Sequence, residues 1–148
     1  MNKNNNPLNI KAAGDAWKGM LGTDARGHAI FQYPAFGIRA AARTLQAKQD
    51  NGKRTLRQIC RDWAPATDTI GSLAGRPSNT PDACADYLAR RLLFAPDEPL
   101  PQFEEDVELL VRLTRHMARW ELGEDCPMSA IMQGIGMWLA DFVEHKPS

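Results

Sequence analysis

The feature that most constrains the fold is a set of apolar stripes with the spacing of an α-helix. In residues 56–63, Leu, Ile, Cys and Trp occupy positions i, i+3, i+4 and i+7, which places them on one helical face. Thr55 is a suitable cap for this helix, and Ala64-Pro65 ends it. A last helix over residues 128–144 is predicted by a longer stripe, formed by Ile131, Ile135, Trp138 and Phe142.

Proline, glycine and capping residues mark three more helices, which we predict over residues 35–49, 80–94 and 102–122. Pro34 and Pro81 suit first helical turns, and Gly123 suits a C-terminal stop. Proline, glycine and small polar residues also predict a turn and two loops between the helices, at residues 50–52, 66–79 and 95–101.

Residues 1–28 are rich in Asn and Gly and show no sustained period. We expect a packed loop region there, anchored by Leu8, Ile10 and Trp17. Residues 29–33 are apolar and aromatic, which predicts one short strand before Pro34. Because the chain has 148 residues and no internal repeat, we predict a single domain over residues 1–148. It is mainly α, with an irregular N-terminal loop region and at most a short β segment.

The sequence contains no pattern typical of a metal or cofactor site. The cysteines are odd in number, widely separated and in no Cys-x-x-Cys pair, so we expect buried, reduced thiols at Cys60, Cys84 and Cys126. The histidines, at positions 28, 116 and 145, form no readable cluster or triad, and no glycine-rich phosphate loop is present. We therefore expect neither a metal nor a cofactor.

The charges are unevenly distributed although the formal net charge is zero. Residues 1–62 carry eleven Lys or Arg against four Asp or Glu, and residues 63–148 carry seven against fourteen. Arginine pairs at i, i+4 on two predicted helices form a candidate face for an anionic partner: Arg39, Arg43, Arg57 and Arg61. No nucleic-acid-binding motif accompanies them, so nucleic acid is disfavoured. Mutual neutralisation of the two halves on folding is the favoured interpretation.

The chain opens with Asn5-Asn6-Pro7-Leu8-Asn9-Ile10-Lys11, followed by Trp17-Lys18-Gly19. These motifs resemble a family of phage and prophage virion proteins that typically begin Asn-Asn-Pro-Gly-Asn-Ile-Arg and continue with Trp-x-Gly. The likeness continues through Phe31-x-Tyr33-x-x-x-Gly37-Ile38-Arg39-Ala40 and Trp63-Ala64-Pro65, and it covers about the first 95 residues. The opening also resembles, more weakly, a segment of bacterial wall-cleaving glucosaminidases, and the family's late acidic motif is similar to that of transglycosylases. These resemblances imply a lysozyme-like helical domain that engages peptidoglycan.

The resemblance also implies which residues contact the glycan strand, namely Asn6, Asn9, Trp17 and Tyr33. Aromatic rings stack on sugars, although core packing is the favoured alternative for Trp17 and Tyr33. Two residues in the opening depart from the family pattern. Leu8 replaces a glycine, which makes a positive φ more costly there, and Lys11 replaces an arginine, which removes bidentate hydrogen bonding.

The larger departure lies in the predicted helix 102–122. If the family's acidic residue aligns with Met117, the chain lacks it, because a thioether cannot donate a proton to a glycosidic oxygen. Glu121 follows one turn later on the same face and is the candidate catalytic acid, with Asp15 and Asp24 as candidate second carboxylates. An exposed glutamate near a helix end is the favoured alternative for Glu121. All of this requires the N-terminal loop to fold against the helix that carries Glu121.

Two hypotheses of function follow. In the first, the chain is a phage-derived, virion-associated protein that binds or cleaves peptidoglycan glycan strands, as a glycosidase or lytic transglycosylase if it is active. In the second, it is a catalytically inactive phage protein that acts by protein binding, as a virion component or an inhibitor of a host protein. The polar opening residues are unlike a signal peptide, and no segment has the length and hydropathy of a membrane span. We therefore expect synthesis in the cytoplasm of the bacterial host.

Overall fold

A computed structural model describes residues 4–63 and 81–145, with side chains up to Val143 at the carboxyl end. The described part is mainly helical, as predicted. The helices are α1 (Pro34–Asp50), α2 (Leu56–Trp63), α3 (Pro81–Leu92), α4 (Val107–Leu122) and α5 (Met128–His145), and the strands are β1 (Met20–Thr23) and β2 (Ala29–Phe31). None of these helices has both the length and the apolar character needed to cross a membrane. The predicted loop 66–79 and the predicted helix cap Thr80 lie outside the described residues.

The described residues group into two compact units. The first consists of the residues up to Thr44 and those from Phe103 onward, and the second of Leu45–Gln102. The first unit contains both strands, most of α1, and helices α4 and α5. The second contains the end of α1, helices α2 and α3, and the segment that follows α3. A single domain over residues 1–148 stays a prediction.

In the first unit, α5 packs closely against α1 at Gly134. A Cβ atom at Gly134 would lie 2.5 Å from Cβ of Ile38 and 2.6 Å from the carbonyl oxygen of Ala35, so only glycine permits this approach. The stripe predicted on α5 is buried, with Ile131, Ile135 and Trp138 at most 2% exposed. Packing of this stripe removes apolar surface from water and stabilises the unit.

The sheet of the first unit has two strands, whereas the sequence predicted one. β1 pairs antiparallel with β2, with an irregularity in register between Met20 and Gly22. A tight turn joins the strands, in which Gly27 has a φ of +85° and its N–H donates to the carbonyl oxygen of Asp24 at 3.1 Å. The sequence missed β1 because four residues carry too little alternation to predict a strand. The Asp24-to-Gly27 turn was the available signal.

Helix α4 begins five residues later than the sequence predicted. Oδ1 of Asp106 accepts the backbone N–H of Leu109 at 3.1 Å, so Asp106 is the N-cap and residues 102–105 precede the helix. Phe103 is fully buried although it precedes the helix. Its apolar side chain continues the helical spacing of α4 in the sequence, so the prediction began too early. The predicted stop is confirmed, since Gly123 has a φ of +74° and donates its N–H to Arg119 O at 2.9 Å.

In the second unit, α2 and α3 pack together and bury Cys60 and Cys84. The predicted cap of α2 is confirmed. Oγ1 of Thr55 accepts the N–H of Gln58 at 3.1 Å, and Oε1 of Gln58 accepts the N–H of Thr55 at 3.2 Å, which is a reciprocal capping box. Trp63, predicted as core, is only half-buried, and Nζ of Lys48 lies 5.5 Å from its ring centroid.

Helix α3 ends at Leu92, two residues earlier than predicted. Leu93 takes a left-handed conformation with a φ of +61°, and its N–H donates to Ala89 O at 3.0 Å. This is the αL arrangement that usually places glycine after a helix. The side chain of Leu93 is 84% exposed, so packing does not compensate for the backbone strain.

Candidate functional site

The N-terminal loop is organised around the side chain of Asn6, which is fully buried. Its Nδ2 donates to the carbonyl oxygens of Ile10 and Ala29, both at 2.9 Å, and its Oδ1 accepts the N–H of Ile10 at 2.9 Å. The amide therefore ties the loop to itself and to β2. With no exposed surface, Asn6 does not present a group to a ligand in this conformation, and we assign it a structural role.

Asparagine supplies two of the left-handed residues of the loop. Asn5 and Asn9 have φ values of +51° and +53°, a region that asparagine adopts more readily than most residues. Leu8, at the position where the family has glycine, is not among the residues with positive φ, and its side chain is fully buried. The backbone cost expected at Leu8 therefore does not arise, because the turn places the left-handed residue at Asn9.

The loop lies directly on the first part of α1, and Gly37 makes this possible. A Cβ atom at Gly37 would lie 2.5 Å from the carbonyl oxygen of Asn5 and 2.8 Å from Cδ of Pro7. Any side chain at this position would push the loop off the helix. The Asn/Pro opening and Gly37 are thus two parts of one packing contact.

The loop also reaches α4, where Nδ2 of Asn9 donates to Oε2 of Glu121 at 3.3 Å. This contact joins residues 112 positions apart in the chain. Both side chains are half-buried, and Glu121 lies in the last turn of α4, two residues before the Gly123 cap. The structure therefore brings the N-terminal loop against the helix that carries Glu121, as the sequence analysis required.

Met117, one turn before Glu121, is 2% exposed and belongs to the core of the first unit. Its neighbours on the inner face of α4, Leu113 and Leu110, are fully buried as well. A carboxylate at position 117 would have to be buried in apolar surroundings at a large desolvation cost. The acidic position of the family pattern, if it aligns here, has become a core position.

Asp24, one of the two candidate second carboxylates, is held within the hairpin turn. Its Oδ1 accepts the backbone N–H groups of Arg26 and His28, both at 2.9 Å, and its Oδ2 accepts Nδ2 of Asn4 at 2.9 Å. Burial alone would raise the pKa of Asp24, but the hydrogen bonds from His28, Asn4 and Arg26 outweigh it and lower the pKa to about 2. Asp24 thus stabilises the turn. Asp15, the other candidate, is exposed.

The two aromatic candidates differ in exposure. Tyr33 is 58% exposed, so the favoured core-packing interpretation is wrong for this ring. Its ring centroid lies 6.1 Å from that of Phe36, and the Phe36 ring covers Gly19, where a Cβ would lie 2.3 Å from its Cγ. Trp17 is half-buried. Its indole Nε1 is buried without a hydrogen-bond partner among the described residues.

The four arginines proposed as an anion-binding face are mostly engaged in ion pairs. Arg39 is 9% exposed and binds Oδ2 of Asp141 through Nε at 2.8 Å and a terminal nitrogen at 2.7 Å. Burial would raise the pKa of Asp141, but Arg39 outweighs it and the pKa is lowered. Arg39 is therefore not part of an exposed face, which corrects the expectation. Arg43 is exposed.

The remaining two arginines belong to an ion-pair network in the second unit. Arg57 binds Oδ1 of Asp97 at 2.8 Å and Oδ1 of Asp82 at 3.3 Å, and Arg61 binds Oδ1 of Asp82 at 3.0 Å. Both acidic partners come from the acidic second half of the sequence. Together with Arg39–Asp141, these pairs show that acidic residues of the second half of the sequence neutralise three of the four arginines of the first half.

Gly134 and Asp141 are important positions that the sequence analysis did not single out, and Gly37 was named there only as part of a motif. An (i, i+4) arginine pattern indicated Arg39, but its partner lies 102 residues away and no local signal identifies it. Within the described residues, no group of three or more His, Cys, Asp or Glu side chains has a geometry suited to a metal ion. In comparisons with known proteins, the chain matches no family model and no characterised protein.

Proposed function

We propose that the chain is a phage-derived, virion-associated protein that engages the glycan strands of peptidoglycan. The proposed binding surface consists of the exposed side of the N-terminal loop before β1 (residues 4–19), the exposed ring of Tyr33 and the last turn of α4. Asn9 and Glu121 form its polar centre. One observation carries this proposal, namely the 3.3 Å contact between Nδ2 of Asn9 and Oε2 of Glu121. It joins the segment that resembles wall-cleaving glucosaminidases to Glu121, the candidate catalytic acid.

The chemistry of this pair suits a sugar. Asn9 carries an amide, which donates and accepts hydrogen bonds, and Glu121 carries a carboxylate, which accepts them. Sugar hydroxyls both donate and accept, so they complement such a surface. Tyr33, with its exposed ring, supplies an apolar plane of the kind that sugars stack on.

Glu121 is also the candidate general acid if the protein cleaves the strand. Inverting and retaining glycosidases need a second carboxylate within about 10 Å. Of the two candidates, Asp24 accepts the backbone hydrogen bonds of its turn, and Asp15 is exposed. A lytic transglycosylase can work with one carboxylate. Cleavage, if it occurs, is therefore proposed to be of the transglycosylase type, with Glu121 as proton donor to the glycosidic oxygen.

A second candidate function is favoured by the burial of Met117. Met117, to which the resemblance assigns the family's acidic position, is part of the core. This is compatible with a protein that has no catalytic acid there and acts by binding another protein. The partner would then be a virion component or a host protein.

The test measures binding and cleavage together on purified peptidoglycan sacculi. We expect the protein to co-sediment with sacculi, and Tyr33→Ala to weaken binding about tenfold, equivalent to about 1.4 kcal/mol. Leu21→Ala is the matched control, because Leu21 is also exposed and apolar and lies outside the proposed surface.

Cleavage is measured as released muropeptides in the same samples. Glu121→Gln should abolish release, whereas Glu108→Gln, an exposed glutamate of the same helix, should leave it unchanged. Binding without release would restrict the proposal to a binding function. Absence of both binding and release would contradict it, and specific capture of a virion or host protein would then favour the second candidate.

A further inference from the structure

Two exposed cations of the first unit, Lys18 and Arg43, have no acidic group in contact with them. The other three arginines of the expected anion-binding face are held in ion pairs. Within the part of the chain that the structure describes, neither Lys18 nor Arg43 forms an ion pair within 4 Å, and both side chains are exposed. We call Lys18 and Arg43 the cationic pair. It retains the capacity for an anion that the sequence pattern assigned to the whole set.

Packing around Phe36 places the cationic pair along one face of α1. Phe36, Arg39 and Arg43 occupy positions i, i+3 and i+7 of this helix and therefore share a face. The ring of Phe36 covers Gly19, where a Cβ atom would lie 2.3 Å from its Cγ. Lys18, the neighbour of Gly19 in the chain, is thereby held beside the same face. Residues from the N-terminal loop and from α1 thus contribute to one surface.

The charges around Asp141 leave this surface positive. Nε and a terminal nitrogen of Arg39 both bind Oδ2 of Asp141, at 2.8 and 2.7 Å, so this pair balances itself. Burial would raise the pKa of Asp141, and the groups that lower it are Arg39 and, at longer range, Lys18 and Arg43. Among the described side chains, three cations therefore surround one carboxylate. An anion bound between the members of the cationic pair would relieve their mutual repulsion.

An exposed aromatic ring lies at the other end of the same surface. Tyr33 is 58% exposed, and its ring centroid lies 6.1 Å from that of Phe36. Seven residues of helix separate Phe36 from Arg43, which corresponds to roughly 10 Å along the axis of α1. A ligand that contacts both ends must therefore combine a ring face with an anionic group roughly 10 Å or more away. A bare sugar chain lacks that anionic group.

We propose that the cationic pair binds the free carboxylates of the short peptides that peptidoglycan strands carry. This inference rests on the proposed function, because it assigns Tyr33 to a sugar of the strand and Lys18 with Arg43 to the peptide attached to that strand. Three extended peptide residues span about 10 Å, which is the separation of the two ends of the surface. The ligand is thus a peptide-bearing glycan strand rather than glycan alone.

The experiment measures the affinity of the intact chain for fluorescently labelled, uncross-linked peptidoglycan strands by fluorescence anisotropy. One sample keeps its peptides, and an amidase has removed them from the other. The parent should bind the peptide-bearing strands about fivefold more tightly, equivalent to about 1 kcal/mol, because exposed ion pairs each contribute modestly. Lys18→Gln combined with Arg43→Gln should remove this difference and leave the affinity for peptide-free strands unchanged. Arg90→Gln combined with Arg115→Gln removes the same charge at exposed positions of α3 and α4 and should retain the difference.

The outcomes separate this inference from the proposed function. Equal affinity of the parent for both strand forms, or a difference that the double variant of the cationic pair retains, would overturn the peptide assignment while glycan binding stands. Binding of neither form would contradict the proposed function and the inference with it. Inorganic polyphosphate is the probe for a general anion site. If it binds the parent as tightly as the peptide-bearing strands do, and the double variant loses that binding, the assignment to peptide carboxylates is overturned.

Discussion

Arg39 and Asp141 form a two-point ion pair that joins α1 to α5, with Nε and a terminal nitrogen of Arg39 at 2.8 and 2.7 Å from the same carboxylate oxygen. The side chains are only 11% and 22% exposed. Such a pair affects the free energy of unfolding mainly because removal of one member leaves the other as a buried charge without a counter-charge. Asp141 accordingly acts as the counter-ion that allows Arg39 to be buried.

Removal of Asp141 should therefore destabilise the protein strongly. We expect Asp141→Ala to lower the free energy of unfolding by about 3 kcal/mol, since a buried guanidinium loses its partner. The double variant Arg39→Met with Asp141→Ala should recover more than half of this loss. Urea denaturation followed by circular dichroism measures both. Equal destabilisation by the single and the double variant would contradict the assigned pairing.

Two glycines in helices should respond in opposite directions to the same substitution. Gly37→Ala places a Cβ 2.5 Å from the carbonyl oxygen of Asn5 and should cost about 1–3 kcal/mol through overpacking. Gly136→Ala meets no atom within 4 Å and should stabilise α5 by about 0.5–1 kcal/mol through helix propensity. Thermal denaturation of the two variants checks the sign. A stabilising Gly37→Ala would show that the N-terminal loop does not lie on α1.

Leu93 is a position where glycine should improve the protein. Its left-handed backbone and its 84% exposed side chain mean that Leu93→Gly relieves strain and loses little packing. We expect stabilisation by about 0.5–1 kcal/mol after the entropy cost of glycine in the unfolded chain. The control is Leu92→Ala, which should destabilise because Leu92 is 1% exposed.

Asn9 has two separable roles, one in the backbone and one in the side chain. Asn9→Gly keeps the left-handed conformation and removes the donor to Glu121, so binding to sacculi should fall while stability changes little. Asn9→Ala should lose binding and also cost about 1 kcal/mol in stability, because alanine is strained at a φ of +53°. Sacculus co-sedimentation and thermal melting distinguish the two. Unchanged binding in both variants would remove Asn9 from the proposed surface.

The hydrogen-bonded carboxylate of Asp24 should make stability depend on pH in the acid range. Its pKa is about 2 in the folded protein and 3.8 ordinarily. Because the folded value is the lower one, the stabilisation is complete above pH 3.8 and is lost as the pH falls towards 2. The free energy of unfolding, measured between pH 5 and pH 2, should fall less steeply in Asp24→Asn than in the parent. Asp15→Asn, at an exposed position, should reproduce the parent's profile.

The sequence predicted the helices well wherever a cap, a proline or a glycine marked their ends. Thr55 and Gln58 form their capping box within four residues, and Gly123 ends α4 through its own backbone freedom. Such interactions are local and can therefore be read from neighbouring residues. Prediction failed where a long-range contact decided the boundary: Phe103 belongs to the core but not to α4, and β1 exists because β2 pairs with it.

For the candidate site, too, some properties could be predicted from the sequence and others depended on the tertiary structure. From the sequence and its resemblance, Asn9 and Glu121 were predicted as site residues and the opening Asn/Pro segment as a packed loop, and the site assignment stays a prediction. The tertiary structure decided that Asn6 is a buried structural amide, that Met117 is core, and that Arg39 is paired with Asp141. The physical reason is that burial and pairing depend on residues outside the local segment, such as Ala29 for Asn6 and Asp141, 102 positions away, for Arg39. Helix caps and turns depend on adjacent residues and can be predicted from the sequence. A contact such as Asn9–Glu121 forms only when the chain has folded.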